Sequence, residues 1–486
     1  MKVSKFFSVM LIVSAVFVLI GCADIMALIT GEEDNYAASP SVSVLGNVYE
    51  VDLHYGESKT FSVSATVEDG GTLTYQWVRV LSKALPGVPY ETVIAGATSA
   101  SYTFTAGNAE DSFYLFCKVT NTKNGKQETS ESDHIRVSVS NIVRLNGTHI
   151  NEVTTWNPLY TYYIESESWA VVEKSLTIPA GTVVKLGKDA YLETTGTGTI
   201  TVLAEEGKTT YFTSYLDMTK GISIPEYVGS AVGPAKGDWA GVHIGVSGST
   251  FKNCEFRYAN AYALLLKKNT TVDGCTFTDN KSVEYTGALT MAEGENESTV
   301  TNNVFYNNDW PLYVPANYTV DTSNIFHNPD NAEVKNANQA IILEGGRTVA
   351  KSKNIYWMIT ELPYFVATGN WVDARGHLHI GDASNDVIVK FSEGYYLEIH
   401  DTGTLSLGSG SILTCWKDDA HGGDIEGDGA IDCNNADWKG VYYPGVGYNN
   451  DINKDENRVF YNDKSLEEAE RDFVRLLRYI TEEKNG

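Results

Sequence analysis

"STFKNCEFRYAN" (249–260), "TTVDGCTFTDN" (270–280), "STVTNNVFYNN" (298–308) and "YTVDTSNIFHN" (318–328) are four versions of one unit. Each closes on a strand-like run with phenylalanine at the same phase and Asn or Asp shortly after it. Phe256, Phe277, Phe305 and Phe326 are separated by 21, 28 and 21 residues. Self-similarity at such a period marks solenoids and propellers. The units hold short strand patterns and no helical period, which selects a β-solenoid.

Alternate residues of a strand face the same way. Cys254 and Phe256 are therefore expected to point inward, and Glu255 and Arg257 outward. One coil cannot bury its inner face alone; stacked coils bury it continuously. Phenylalanine is expected to stack on phenylalanine, Cys254 to neighbour Cys275, and Asn303 to neighbour Asn324. Asparagines at the turns can satisfy backbone groups from coil to coil. On these residues the region 141–445 resembles the right-handed parallel β-helix, the pectin-lyase-like architecture.

A longer duplication points the same way. "VVKLGKDAYLETTGTGTI" (183–200) matches "VIVKFSEGYYLEIHDTGTL" (387–405), with Lys185 on Lys390 and Tyr191 on Tyr396, each 205 residues apart. Downstream, "FTS" (212–214) matches "LTC" (413–415), and "DWAGV" (238–242) matches "DWKGV" (437–441). Such a module resembles those of bacterial surface β-helix proteins.

Between "LTC" and "DWKGV" lies "HGGDIEGDGAIDCNNADWKG" (421–440). Asp424, Glu426, Asp428, Ala430 and Asp432 take alternating positions, with Gly429 at the bend, as at the start of a calcium loop. Position twelve is Asn435 rather than a bidentate glutamate, so the expectation is a weak structural calcium site or a solvated loop. The first copy's insert lacks this acidic spacing. Cys415 and Cys433 bracket the loop and are expected to form a disulfide, while Cys254 and Cys275 are expected to be buried thiols.

Residues 41–140 alternate short strand patterns with turns: "TFSVSATV", "LTYQWVRV", "SYTFTA", "SFYLFCKVTN" and "HIRVSVS". That spacing suggests a β-sandwich. "LTYQW", "GATSASYTFTA" and "YLFCKVTN" resemble bacterial immunoglobulin-like modules, with Trp77 as the core tryptophan. "FSVSATV" offers Cys117 no partner, and Leu115 stands where the corner tyrosine is usual. The resemblance therefore implies a buried Cys117 thiol and a domain serving as spacer or in adhesion.

Lys2 and Lys5 precede an apolar run, Phe6 to Ile20, and "LIGC" ends at Cys22. A basic start, a short apolar stretch and a small residue before the cut describe a secretory signal over residues 1–21. "LIGC" resembles a bacterial lipobox, which implies lipid on Cys22, a tether over 22–40 and a place in the cell envelope. The formal charge is -26. Such a chain repels nucleic acid and anionic lipid surfaces, so the membrane is reached through the lipid.

Catalysis on polysaccharides needs clustered carboxylates or a metal with a strong base. Around the repeat phenylalanines the outward positions hold Glu255, Thr276, Val304 and Ile325, then Arg257, Thr278, Tyr306 and His327, without an acidic pair across coils. His243, His377, His379 and His400 read as ordinary strand residues. The sequence thus favours binding or display over catalysis, with a polysaccharide lyase or hydrolase as the alternative. Tyr258, Tyr262, Tyr306, Trp310 and Tyr313 lie near repeat turns, where a row of rings could stack on glycans; bacterial or host surface proteins are the other expected partners.

The tail (446–486) ends in "KSLEEAERDFVRLLRYITEEKNG". Ser465 and Glu468 form a capping box, and Leu466, Ala469, Phe473, Leu476, Leu477 and Ile480 make a helical apolar stripe. This amphipathic helix is expected to cap the last coil or dock along a flank, with partner binding as the alternative. The fold class expected is thus all-β: an immunoglobulin-like β-sandwich, a right-handed parallel β-helix and a C-terminal helix.

Overall fold

The computed structural model describes residues 36–449 apart from 55, 82–89, 108–111, 293–295, 401, 426, 428–437 and 445–446. The expected leader, Cys22, residues 23–35 of the tether and the C-terminal helix lie outside the described residues, whereas the end of the expected tether is part of the first unit: Ala37 is buried and the Ala38 N–H donates to Asp69 Oδ2 at 2.8 Å. What is described falls into two compact units, divided between Asn141 and Ile142. Regular structure is almost wholly strand, with two short 3-10 turns, Leu45–Asn47 and Pro225–Tyr227.

The first unit sets a three-stranded sheet against a six-stranded one, as in a β-sandwich. The central pairing is Thr72–Leu81 against Phe113–Lys123, antiparallel, with Trp77 directly opposite Cys117. Both side chains are buried in one core with Phe61, Phe104 and Val137. The indole Nε1 donates to the Ser99 carbonyl at 3.0 Å. Cys117 is a free thiol, and burial pushes it up to about 11.

The second unit is a parallel solenoid. In its first part each coil supplies three short strands, one to each of three sheets. The first sheet has seven strands, from Ile142–Leu145 to Val304–Tyr306; the second has eleven, from Thr148–Ile150 to Ile412–Cys415; the third has six, from Thr154–Thr155 to Thr299–Thr301. Phe212, Phe256, Phe277 and Phe305 are register partners in the first sheet. Their rings stack at 4.7, 5.0 and 4.9 Å, and Phe326 continues the column at 5.5 Å. All five are fully buried. Coil spacing of about 4.8 Å is what lets equal side chains pile face to face. The sequence reading found four of these rings; Phe212, in "YFTS", starts the column.

Asparagine columns close the corners. Asn303 Nδ2 donates to Asn324 Oδ1 at 3.0 Å and to the Val272 carbonyl at 3.1 Å. A second column, Asn280–Asn308–Asn336, has steps of 2.9 Å, and Asn308 Nδ2 also donates to the Phe277 carbonyl. Each buried amide satisfies backbone groups that the corner leaves unpaired. The Cys254 thiol meets that of Cys275 inside the same core, and burial holds it well above its ordinary range.

The winding changes after the third sheet ends. Residues 317–321 occupy the next place on that side without forming a strand, and the hairpin His327–Asn328/Asn331–Lys335 follows. From there each coil visits the eleven-stranded sheet, then a five-stranded one starting at Arg347–Val349, then a three-stranded one starting at Asn354–Trp357. The two sequence copies therefore sit on different faces. Val183–Leu186 belongs to the seven-stranded sheet, and its counterpart Ile388–Phe391 to the eleven-stranded one. Tyr191–Thr194 belongs to the eleven-stranded sheet, and Tyr396–Ile399 to the five-stranded one. The second copy is turned one face on around the solenoid.

The duplication also reaches back one coil further than the quoted match. Trp156 stacks on Tyr162 at 3.9 Å, and Trp357 on Tyr364 at 5.7 Å. The hydroxyls of Tyr162 and Tyr364 accept from the backbone N–H of Asn157 and Ile359. Each copy carries an insert laid on the outer side of its first strand. Ile224 is buried with Ile142 and Tyr163, and Ile425 with Trp310, Ile342 and Phe365.

Candidate functional site

Where the third sheet stops, a groove of about 400 Å³ opens between Ser298–Thr301, residues 317–321 and residues 348–355. It exists because one coil lacks a strand on that side. Asn and Thr supply seven of its sixteen lining residues, with Glu297, Asp321 and Lys353 as its charges. Lys353 Nζ lies 2.9 Å from Glu297 Oε1. Asp321 Oδ1 accepts from the Ser323 N–H at 2.9 Å and from its hydroxyl. The Tyr318 hydroxyl donates to the Ser298 carbonyl at 2.8 Å, and burial pushes it up to about 12.

Thr348, on the groove wall, leads onto the outer row of the five-stranded sheet: Thr348, Asp373, Glu398 and Tyr442, in register. Thr348 Oγ1 donates to Asp373 Oδ2 at 2.9 Å. Arg375 Nε lies 2.9 Å from the same oxygen. His400 Nε2 sits between the two acids, 3.3 Å from Asp373 Oδ1 and 3.2 Å from Glu398 Oε1. Asp373 is almost wholly buried and His400 about one-third exposed. Beside this row Trp371 stacks on Tyr396 at 6.3 Å, and Tyr442 meets Tyr396 edge-on at 6.0 Å. Burial first, and then the charge of Glu398, raises the Tyr396 hydroxyl.

One expectation is overturned: His400 lies between two acids rather than being an ordinary strand residue. The acidic pair itself, Asp373 on Glu398, stacks across the diverged coils, beyond the repeats that carry the phenylalanines. Period-two alternation in "YYLEIH" puts Glu398 and His400 on one face; only the register of "WVDARG" brings Asp373 to them.

The aromatic residues singled out in the sequence do not form one row. Trp310 is 7 % exposed, roofed by Ile425 and Phe365, and Tyr313 packs at the edge of that cluster. The insert of the second copy, absent from any local pattern around Trp310, is what covers it. Tyr258 lies under the Arg257 guanidinium, 4.7 Å from its ring centre, and Tyr306 is half-buried. Tyr262 meets His243 edge-on at 5.4 Å, and His243 stacks on Tyr191 at 5.3 Å. Burial holds His243 below its ordinary value, and its Nε2 is 3.1 Å from the Ala240 carbonyl. His377 and His379 share a strand face as expected; His379 stacks on Tyr356 at 4.5 Å.

Of the acidic loop, Asp424 is exposed, and its Oδ1 accepts from the Gly427 N–H at 2.6 Å. Glu426, Asp428, Ala430 and Asp432 lie outside the described residues, as does Cys433. Cys415 takes part in a disulfide. Among the described residues no group of three or more His, Cys, Asp or Glu side chains is placed to hold a metal ion.

Chemically, the row offers two carboxylates sharing an imidazole, a guanidinium, and a strip of rings. Carboxylates beside aromatic faces accept hydrogen bonds from sugar hydroxyls while the rings cover the apolar faces of the sugar. Paired acids can also serve acid–base chemistry at a glycosidic bond. Residues 235–357 match the family model for a right handed beta helix region. No curated protein and no solved structure matches the chain. The solenoid is thus a right-handed parallel β-helix. That fold is shared by pectate lyases and by adhesins, so activity has to be argued from the site.

Proposed function

We propose that this chain is a binding protein of the bacterial cell envelope, anchored through lipid on Cys22, with the first unit, read as immunoglobulin-like, as its spacer. Its β-helix presents a carbohydrate-binding face. The observation that carries this reading is the continuity of the groove at residues 298–301 and 348–355 with the row Asp373, Glu398, His400 and the rings of Trp371 and Tyr396. Neutral amides and hydroxyls, one acid–imidazole cluster and stacked rings in line suit a polyhydroxylated chain. Retention of the full chain in native gels containing xyloglucan, mannan, dextran or polygalacturonate tests it. Binding that survives Trp371→Ala/Tyr396→Ala unchanged counts against this face.

The second reading is a polysaccharide-degrading enzyme, favoured by Asp373 and Glu398 lying opposite one another with His400 between them. The two readings separate on product size. Recovery of bound polysaccharide at its original length supports binding alone. Shortened chains that disappear with Glu398→Gln support catalysis.

Calcium in the loop from Asp424 to Asp432 is part of the proposal as a structural ion. Calorimetric titration of calcium into the full chain should give a weak signal that Asp428→Asn removes.

A further inference from the structure

The chain contains its own two-member alignment. Most residues kept between the copies are buried, and packing accounts for them: Tyr162/Tyr364, Lys185/Lys390, Leu192/Leu397 and Trp239/Trp438. Trp169/Trp371 and Tyr191/Tyr396 are different. They point outward, are not buried, and are register partners in both copies, Trp169 with Tyr191 and Trp371 with Tyr396. Trp371 is 36 % exposed.

The polar residues around them were not kept. Val171, Glu173 and Thr195 stand where the second copy has Asp373, Arg375 and His400. Only the acid beside each tyrosine persists, Glu193 and Glu398. The next coil places glycine directly beside each tyrosine, Gly241 and Gly440, both at positive φ (110° and 90°), and neighbouring side chains come in over that flank, His243 against Tyr191 and Lys439 over the Tyr396 ring. An aromatic third rung follows in each, His243 or Tyr442. In the first copy Tyr262 adds a fourth.

Half-buried rings repeated at coil spacing offer one edge of an apolar surface to a partner of matching period. A linear polysaccharide has that period in the C–H faces of successive pyranose units, whose length is comparable with the rise of one coil. A flat protein partner would not explain why two copies with different surrounding charges keep the same rings. We infer that Trp169, Tyr191, His243 and Tyr262 form a second polysaccharide platform, equivalent to Trp371–Tyr396–Tyr442, so that one chain holds two glycan strands at once. This rests on the carbohydrate-binding reading above.

The test is agglutination of beads coated with whichever of xyloglucan, mannan, dextran or polygalacturonate retains the full chain. The wild type crosslinks the beads. Trp169→Ala/Tyr191→Ala and Trp371→Ala/Tyr396→Ala each bind the beads more weakly, through the one platform left, and lose crosslinking, and the corresponding Phe substitutions keep it, which separates ring loss from misfolding. Undiminished crosslinking by Trp169→Ala/Tyr191→Ala overturns the second platform and leaves the carbohydrate-binding reading standing. Failure of the wild type to bind any of the four overturns both.

Discussion

Lys185 and Lys390 are one buried residue used twice: each is fully enclosed and donates its Nζ to a backbone carbonyl of its own insert, Asp217 at 2.8 Å and Gly423 at 2.5 Å. The partners repeat as well. Thr213 Oγ1 donates to Asp217 Oδ2 at 2.7 Å, and Thr414 Oγ1 to Asp418 Oδ2 at 2.6 Å. A lysine on the outer side of a coil is thus buried by the loop it fastens. In the first copy Arg257 lies near the same acid, Nε to Asp217 Oδ2 at 3.7 Å. That carboxyl is held below its ordinary value by the hydrogen bonds of Thr219 and Thr213.

Burial lowers Lys185 from 10.5 to about 8. Between these values the unfolded chain binds more protons than the folded one, so the contribution of Lys185 to stability rises with pH. Lys185→Met removes that dependence. Melting temperatures taken from about pH 8 to 10 should rise for the wild type relative to the variant; parallel curves would remove Lys185 from the account.

Phe277 stacks on Phe256 and Phe305 at 5.0 and 4.9 Å in a fully buried column. Phe277→Ala should destabilise by about 3–5 kcal/mol, the cost of a lost ring and the cavity it leaves. Denaturant unfolding measures it. Phe277→Leu should cost clearly less.

Asn308 receives and donates along its column and also holds the Phe277 carbonyl. Asn308→Leu leaves several buried polar groups unpaired, at about 1–3 kcal/mol each. It should be more damaging than Asn354→Leu at an exposed strand position. Equal melting temperatures for the two variants would mean the column contributes nothing.

Cys415 is disulfide-bonded, and the sequence points to Cys433 as its partner. Cys433→Ser should then titrate one thiol more than the wild type under denaturing, non-reducing conditions. It should also lose about 3 kcal/mol, the chain-entropy value for a closed loop of this size. A thiol count lower by one than that of the wild type would assign Cys415 another partner.

The columns were readable from sequence because inward positions obey a strict rule. Phe256, Phe277, Phe305 and Phe326 recur at one phase, and Asn303 and Asn324 recur with them. The face on which each copy lies was not readable, since it depends on how much chain the corner after Val314 consumes. That turn decides which residues meet outside. It puts Asp373 opposite Glu398 and buries Trp310 beneath an insert more than a hundred residues away in sequence. The quoted match already pairs Tyr191 with Tyr396; Trp169 pairs with Trp371 only when the duplication is carried back to Trp156.

In the seven-, eleven- and six-stranded sheets of the solenoid each strand bonds in parallel to the strand one coil on, so the bonds run along its axis. A pull applied at the two ends loads these rungs one after another. The unit yields coil by coil, paying out slack in short lengths while the remaining coils keep their grip. For a tethered molecule holding a fibre under shear, that is the behaviour of a shock absorber rather than of a latch that snaps.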